Sequence, residues 1–229
     1  MLTPVTKVLR RQDGFLWTPT VTLSRKRAEQ IILVGVIHIG LQEYYEKIQT
    51  YLNSLEERGF LVMTETIDRN QGNMVEKYGK VGEEYLLAIN TFQMYIREHY
   101  SIWYQTAALT LRDSWISADT WTSNMEASPE DAQKMMAQRI AWFHDPEWLI
   151  RQMIEMSDNE IVQERATQTA SVTERDKYAV SKFLEYVTNQ PIVSFWGAYH
   201  LPGMIRLLEE GGFALNEDIG WDKALPILL

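Results

Sequence analysis

Twice along the chain an apolar run stops at a Gly-x-x-His tetrapeptide and a helical pattern follows, and this doubling constrains the fold more than any other feature. The first copy runs from Gln30 to Phe60 through Gly35-Val36-Ile37-His38 and closes on Glu56-Glu57-Arg58-Gly59-Phe60. The second runs from Pro191 to Phe213 through Gly197-Ala198-Tyr199-His200 and closes on Glu209-Glu210-Gly211-Gly212-Phe213. Ile31 to Val36 is too short for a free-standing helix and rich in branched residues, so it reads as a strand buried on both faces. Ile192 to Trp196 is its counterpart. Each unit is a strand, a turn and a helix that delivers one histidine.

After His38, the residues Leu41, Tyr44, Tyr45, Ile48, Leu52 and Leu55 recur on one helical face, and Gly59 ends that helix. Phe60 to Met63 is the next strand and stops at Thr64-Glu65. A strand–helix–strand unit favours a parallel, right-handed crossover, which places Glu65 at the same sheet edge as His38.

Gly72 to Arg165 has a different character. Tyr85, Ile89, Phe92, Ile96 and Trp103 mark one long helix, Ser128-Pro129 opens a second and Asp145-Pro146 a third. Between the first two, Asp113 to Asn124 reads as a loop. His99 falls on the apolar side of its helix and His144 at a helix start, and neither is assigned a role. Ser171-Val172-Thr173-Glu174 matches a capping box for a late helix whose buried face carries Ala179, Phe183, Tyr186 and also Arg175. Asp13-Gly14 sits between short strand-like segments and predicts a hairpin. A last strand is expected near Phe213 to Leu215.

The expected architecture is α/β, with α+β as the alternative: a central mixed sheet flanked by helices. Residues 1–229 form one domain, with a helical insertion subdomain at 72–165 between the two strand–Gly-x-x-His–helix units. A chain of 229 residues that is 45% hydrophobic can bury such a core.

The formal charge of −9 gives no overall basic field for phosphate backbones, so nucleic acid is not expected as a partner. The chain has no cysteine, which removes disulfides, thiolate metal sites and a cysteine nucleophile. No apolar stretch has the length of a signal peptide core or a membrane span, so the expectation is a soluble, cytoplasmic protein without a membrane partner. Gly-rich phosphate loops and Gly-x-Ser-x-Gly are absent from the sequence.

Ligands of open α/β sheets bind beyond the carboxyl ends of the strands, where His38, His200 and Glu65 are all predicted to lie. Two imidazoles and a carboxylate suit a divalent metal such as Mn, Co or Zn and leave positions for water and substrate. Metal-bound water is a hydroxide source near neutral pH. For Glu65 the plainer reading is a turn cap, or a partner for Arg69. For Arg175 it is a structural carboxylate partner, against a role in binding substrate or stabilising an oxyanion.

The ordered set of Gly35-Val36-Ile37-His38 with its Tyr-bearing helix, Glu65, Glu174-Arg175-Asp176 and Gly197-Ala198-Tyr199-His200-Leu201-Pro202-Gly203 resembles the TraB/TIKI/GumN family over about half the chain. The resemblance implies a central sheet on which both Gly-x-x-His motifs meet, and a metal-dependent peptidase using Mn or Co. It makes His38 and His200 metal or catalytic residues, Glu65 their acidic companion and Arg175 the arginine of the late helix. Asp176 stands where the family's late helix often carries asparagine, and Asp119 resembles an Ala-Asp pair of some members. Arg69, Asp119 and Tyr199 are the candidate substrate-binding residues.

The leading expectation is therefore a metal-dependent hydrolase acting on a peptide or small molecule, with Glu65 as ligand or base. Two rivals use the same residues. One is a non-catalytic module that binds and sequesters a peptide, metal or haem. The other is a metal-free hydrolase in which the histidines act as acid and base.

Overall fold

The computed structural model describes residues 9–26, 29–65, 71–119, 129–158 and 170–227. Three neighbouring strands form its centre: β3 (Glu29–Val36), β8 (Ile192–Gly197) and β5 (Leu61–Thr64), all parallel, with β8 in the middle. Their side chains alternate between two apolar layers, as a sheet covered on both faces requires. Ile32, Val34, Val36, Val62, Val193 and Phe195 join one layer, while Ile31, Leu33, Met63, Ile192 and Trp196 join the other.

The first layer is covered by α1 (Gln42–Glu57) through Tyr44, Tyr45, Ile48, Leu52 and Leu55, and by α2 (Gln71–Tyr100) through Ala88, Ile89, Phe92 and Ile96. Gly79, at φ 55°, breaks α2. The helices α4 (Pro129–Phe143) and α5 (Pro146–Asp158) extend this side through Phe143 and Ile150. The second layer is covered by α6 (Ala170–Tyr186), through Ala179, Val180 and Phe183, and by α7 (Leu201–Glu210), through Leu201, Met204, Ile205 and Leu208. The architecture is the mixed-sheet α/β fold expected from the sequence.

On the far side of β3 lies the long β2 (Phe15–Arg25), antiparallel to it. The hairpin at Asp13-Gly14 joins β2 to β1 (Arg10–Gln12), with both turn residues at positive φ as a two-residue primed turn demands. β2 also pairs with β9 (Ala214–Leu215) and β10 (Gly220–Pro226). The first of these is the expected final strand. The second breaks the alternation that identifies strands, with a register shift between Lys223 and Leu225.

The interval 72–165 is not wholly helical. It contains β6 (Ile102–Tyr104), the short α3 (Gln105–Ala108) and β7 (Ile116–Ser117), and β7 extends the main sheet parallel to β5. Two residues are too few to leave a period in the sequence, so this strand reads as loop. Nor does a helix follow His38 directly: β4 (Ile39–Leu41) intervenes and pairs antiparallel with β6 in a small second sheet. α6 already includes Ser171, so that residue is helical rather than a cap. His99 is exposed and stacks on Tyr95, not buried on the apolar side of α2, and His144 is exposed as well.

Candidate functional site

Because β3, β8, β5 and β7 run parallel, their carboxyl ends lie at one edge, and the residues just beyond them meet there. Glu65 follows β5, Asp119 lies two residues past β7, His200 ends the 3-10 turn Ala198–His200 after β8, and His38 lies two residues past β3. α6 adds Arg175 and Asp176 from the side.

Arg175 is the hub. Its Nε donates to Asp119 Oδ1 at 2.9 Å and its Nη2 to Asp119 Oδ2 at 2.7 Å, the two-pronged geometry that favours arginine over lysine. Nη2 also donates to Glu65 Oε1 at 2.5 Å, and Nη1 lies 3.2 Å from His200 Nε2. The indole of Trp196 lies under the guanidinium, 5.4 Å from its centre, and meets the His200 ring edge-on. Asp119 has a fully buried side chain and Arg175 only 15% exposure, so these are desolvated charges that need each other.

The other oxygen of Glu65 accepts from the Gly197 backbone N–H at 2.8 Å. Burial alone would raise the Glu65 pKa, but the charges of Arg175, His200 and His38, with the Gly197 hydrogen bond, outweigh it and hold the carboxyl down at about 2. Glu65 is thus ionised throughout the physiological range.

His200 is buried, and its Nδ1 lies 2.6 Å from Asp176 Oδ1. With Asp176 ionised, Nδ1 carries the proton and Nε2 accepts from Arg175. Burial raises the Asp176 pKa, opposed by the hydrogen bond and charge of His200. Glycine at 203 makes room for this carboxylate: a Cβ there would lie 2.1 Å from Asp176 Oδ2. Gly197, in contrast, has φ −48° and space for a methyl group, so the turn does not require glycine for its conformation. Gly35 does, for space: a Cβ would meet the Pro19 carbonyl at 2.9 Å.

His38 is built differently. Its residue is exposed, and its Nδ1 lies 3.1 Å from Oε1 of the buried Gln105. The Gln105 backbone N–H also donates to the His38 carbonyl at 2.7 Å. From α1, the Tyr45 hydroxyl donates to the Ile37 carbonyl at 2.7 Å, and the Tyr44 hydroxyl, 3.0 Å from Thr18 Oγ1, reaches the Gly35 carbonyl at 3.4 Å. These two tyrosines hold the backbone that presents the histidine. Crowding of the ring by protein lowers the His38 pKa, Glu65 partly restores it, and the charge of Arg139 on α4 lowers it again. His38 and Glu65 therefore feel each other's charge.

Of the residues singled out in the sequence, His200, Glu65, Arg175 and Asp119 join one hydrogen-bonded network, with His38 electrostatically coupled beside it. Arg69 lies outside the described residues. Tyr199 is half-buried against the first apolar layer, which pushes its pKa up to about 12, and it makes no hydrogen bond among the described residues. Gln105, Arg139 and Tyr104, whose ring stacks on His38 with centroids 6.3 Å apart, carried no sequence signal: each comes to the site through tertiary packing of the 72–165 interval.

The donor atoms do not fit a divalent ion shared by His200 and Glu65. Nε2 of the one and Oε1 of the other both face the Arg175 guanidinium, so the position between them already holds a positive charge. Among the described residues no helix is long and apolar enough to cross a membrane. No family model, no curated protein and no solved structure matches the chain.

Proposed function

We propose that this chain is a hydrolase that cleaves an amide bond, with peptides as its substrate class, and that its histidines work without a shared metal ion. One observation carries the reading. Exposed His38 stands at the edge of a parallel sheet beside a buried network that keeps Glu65 ionised.

His38, with its basicity lowered, is neutral near pH 7 and able to take a proton from water. The imidazolium so formed lies in the field of the Glu65 carboxylate, which favours it. The hydroxide attacks the carbonyl carbon, and His38 returns the proton to the leaving nitrogen as the carbon–nitrogen bond breaks. Arg175 acts as a positioning group rather than an oxyanion clamp, since its charge is matched by Glu65 and Asp119. His200 belongs to the same scaffold.

The resemblance to the TraB/TIKI/GumN family supports the peptide class, and membership in that family is part of the proposal. The Mn, Co or Zn ion that the resemblance implies would have to displace the guanidinium. The lack of cysteine supports a reducing compartment, and we take the cytoplasm as the site of action.

The test is hydrolysis of a peptide library by protein stripped of metals with a chelator. Activity should persist, and His38→Ala should lower it by about 10²–10⁴-fold. Stoichiometric uptake of Mn, Co or Zn that alone switches on turnover would overturn the metal-free mechanism. Peptide binding without turnover would replace the hydrolase with a sequestering module.

A further inference from the structure

The residue that grips His38 lies on neither Gly-x-x-His unit. Pairing of β4 with β6 sets Ile39 opposite Tyr104, and one step further this register brings Gln105 against His38. Gln105 then holds His38 twice, through its backbone N–H to the His38 carbonyl at 2.7 Å and through Oε1 to Nδ1 at 3.1 Å. Gln105 is only 3% exposed, whereas His38 is open to solvent. Burial holds Gln105 in place while the His38 residue is exposed, so the contact at Nδ1 is set from the Gln105 side.

We infer that Gln105 is a positioning residue that locks His38 as the Nδ1–H tautomer and so leaves the lone pair on Nε2. The inference rests on the reading of His38 as the proton acceptor and deepens it by saying which nitrogen accepts. An amide oxygen can only accept a hydrogen bond, so the nitrogen facing it must carry the proton. The other ring nitrogen is then the basic one, and among the described residues Nε2 has no hydrogen-bond partner. A glutamine also does this without a charge. A carboxylate in its place, like Asp176 behind His200, would fix the same tautomer and add a negative charge next to the ring.

The tautomer is directly observable in the full-length protein labelled with ¹⁵N-histidine. At mildly alkaline pH, long-range ¹H–¹⁵N correlations distinguish a protonated Nδ1 from a protonated Nε2, and the His38 signals are those lost in His38→Ala. Wild-type His38 should show Nδ1 protonated and Nε2 bare. Gln105→Leu should lose that pattern and move toward the Nε2–H form that a free imidazole side chain prefers in water. Gln105→Glu, which keeps an acceptor, should restore it.

A wild-type ring protonated on Nε2 would overturn the inference, because the amide would then be donating to Nδ1. Retention of the Nδ1–H pattern in folded Gln105→Leu would overturn it too. If the leucine variant fails to fold, the wild-type and glutamate spectra still decide. Should the wild-type protein show the expected tautomer but hydrolyse no peptide, the inference about Gln105 stands and the hydrolase reading falls.

Discussion

His38 and His200 follow adjacent parallel strands and end the same tetrapeptide, yet their surroundings differ on every count. Behind His38 stands a neutral amide, and the residue is exposed. Behind His200 stands a carboxylate, in front of it a guanidinium, and the residue is buried. The chain after His38 bends into the short strand β4, while the chain around His200 winds directly into α7. A repeated motif has been used once to present an imidazole to solvent and once to brace the scaffold that holds Glu65. Identical spacing in the sequence therefore does not imply identical chemistry; the partner at Nδ1 and the access of water separate the two.

That contrast is most severely tested through its hub. Arg175→Ala removes the guanidinium from Glu65 and Asp119, and breaking a buried pair in this way costs about 3–5 kcal/mol. Urea unfolding should register the loss; a change below about 1 kcal/mol would mean that the network does not hold this edge of the sheet.

Acid should undo the same network more gently. Glu65 has its folded pKa held at about 2, below the ordinary 4.5, so its contribution is complete above pH 4.5. It fades as pH falls toward 2, by about 3 kcal/mol in total. Glu65→Gln should flatten the stability profile across that window, and an unchanged slope would count against the ion pair.

The glycines give the smallest effects and the sharpest contrast. Gly203→Ala drives a methyl group into the carboxylate of Asp176 and should cost about 1–3 kcal/mol in thermal or denaturant unfolding. Gly197→Ala meets Glu65 and His200 only at ordinary contact distance and should cost less than about 1 kcal/mol. Equal losses at both positions would show that Asp176 has room to move.

Much of the frame was legible in the sequence because it rests on local pattern. The strand at Ile31 to Val36, the helix face from Leu41 to Leu55 and the stop at Gly59 follow from burial period and capping. Glu65 could be placed at the same sheet edge as His38 because a parallel crossover puts strand ends on one side, although β8 lies between their two strands. Arg175 stood out as a charge on an apolar helix face, and the structure pairs it with the carboxylates of Glu65 and Asp119. The rest depended on long-range contacts with no local signature. β7 is two residues long, and without it Asp119 reads as loop. Gln105 is an ordinary polar residue until the β4–β6 pairing carries it to His38. Gly197 has a negative φ, and what it supplies is a backbone N–H to Glu65, a contact with no local signature.

The division of labour between the histidines can be measured without knowing the substrate, by denaturant unfolding of His38→Ala beside His200→Ala. His38→Ala should cost about 1 kcal/mol or less, because the residue is exposed. His200→Ala should cost about 3 kcal/mol or more, because it strips the buried Asp176 of its partner. Equal losses, or a larger loss at His38, would contradict this division of labour.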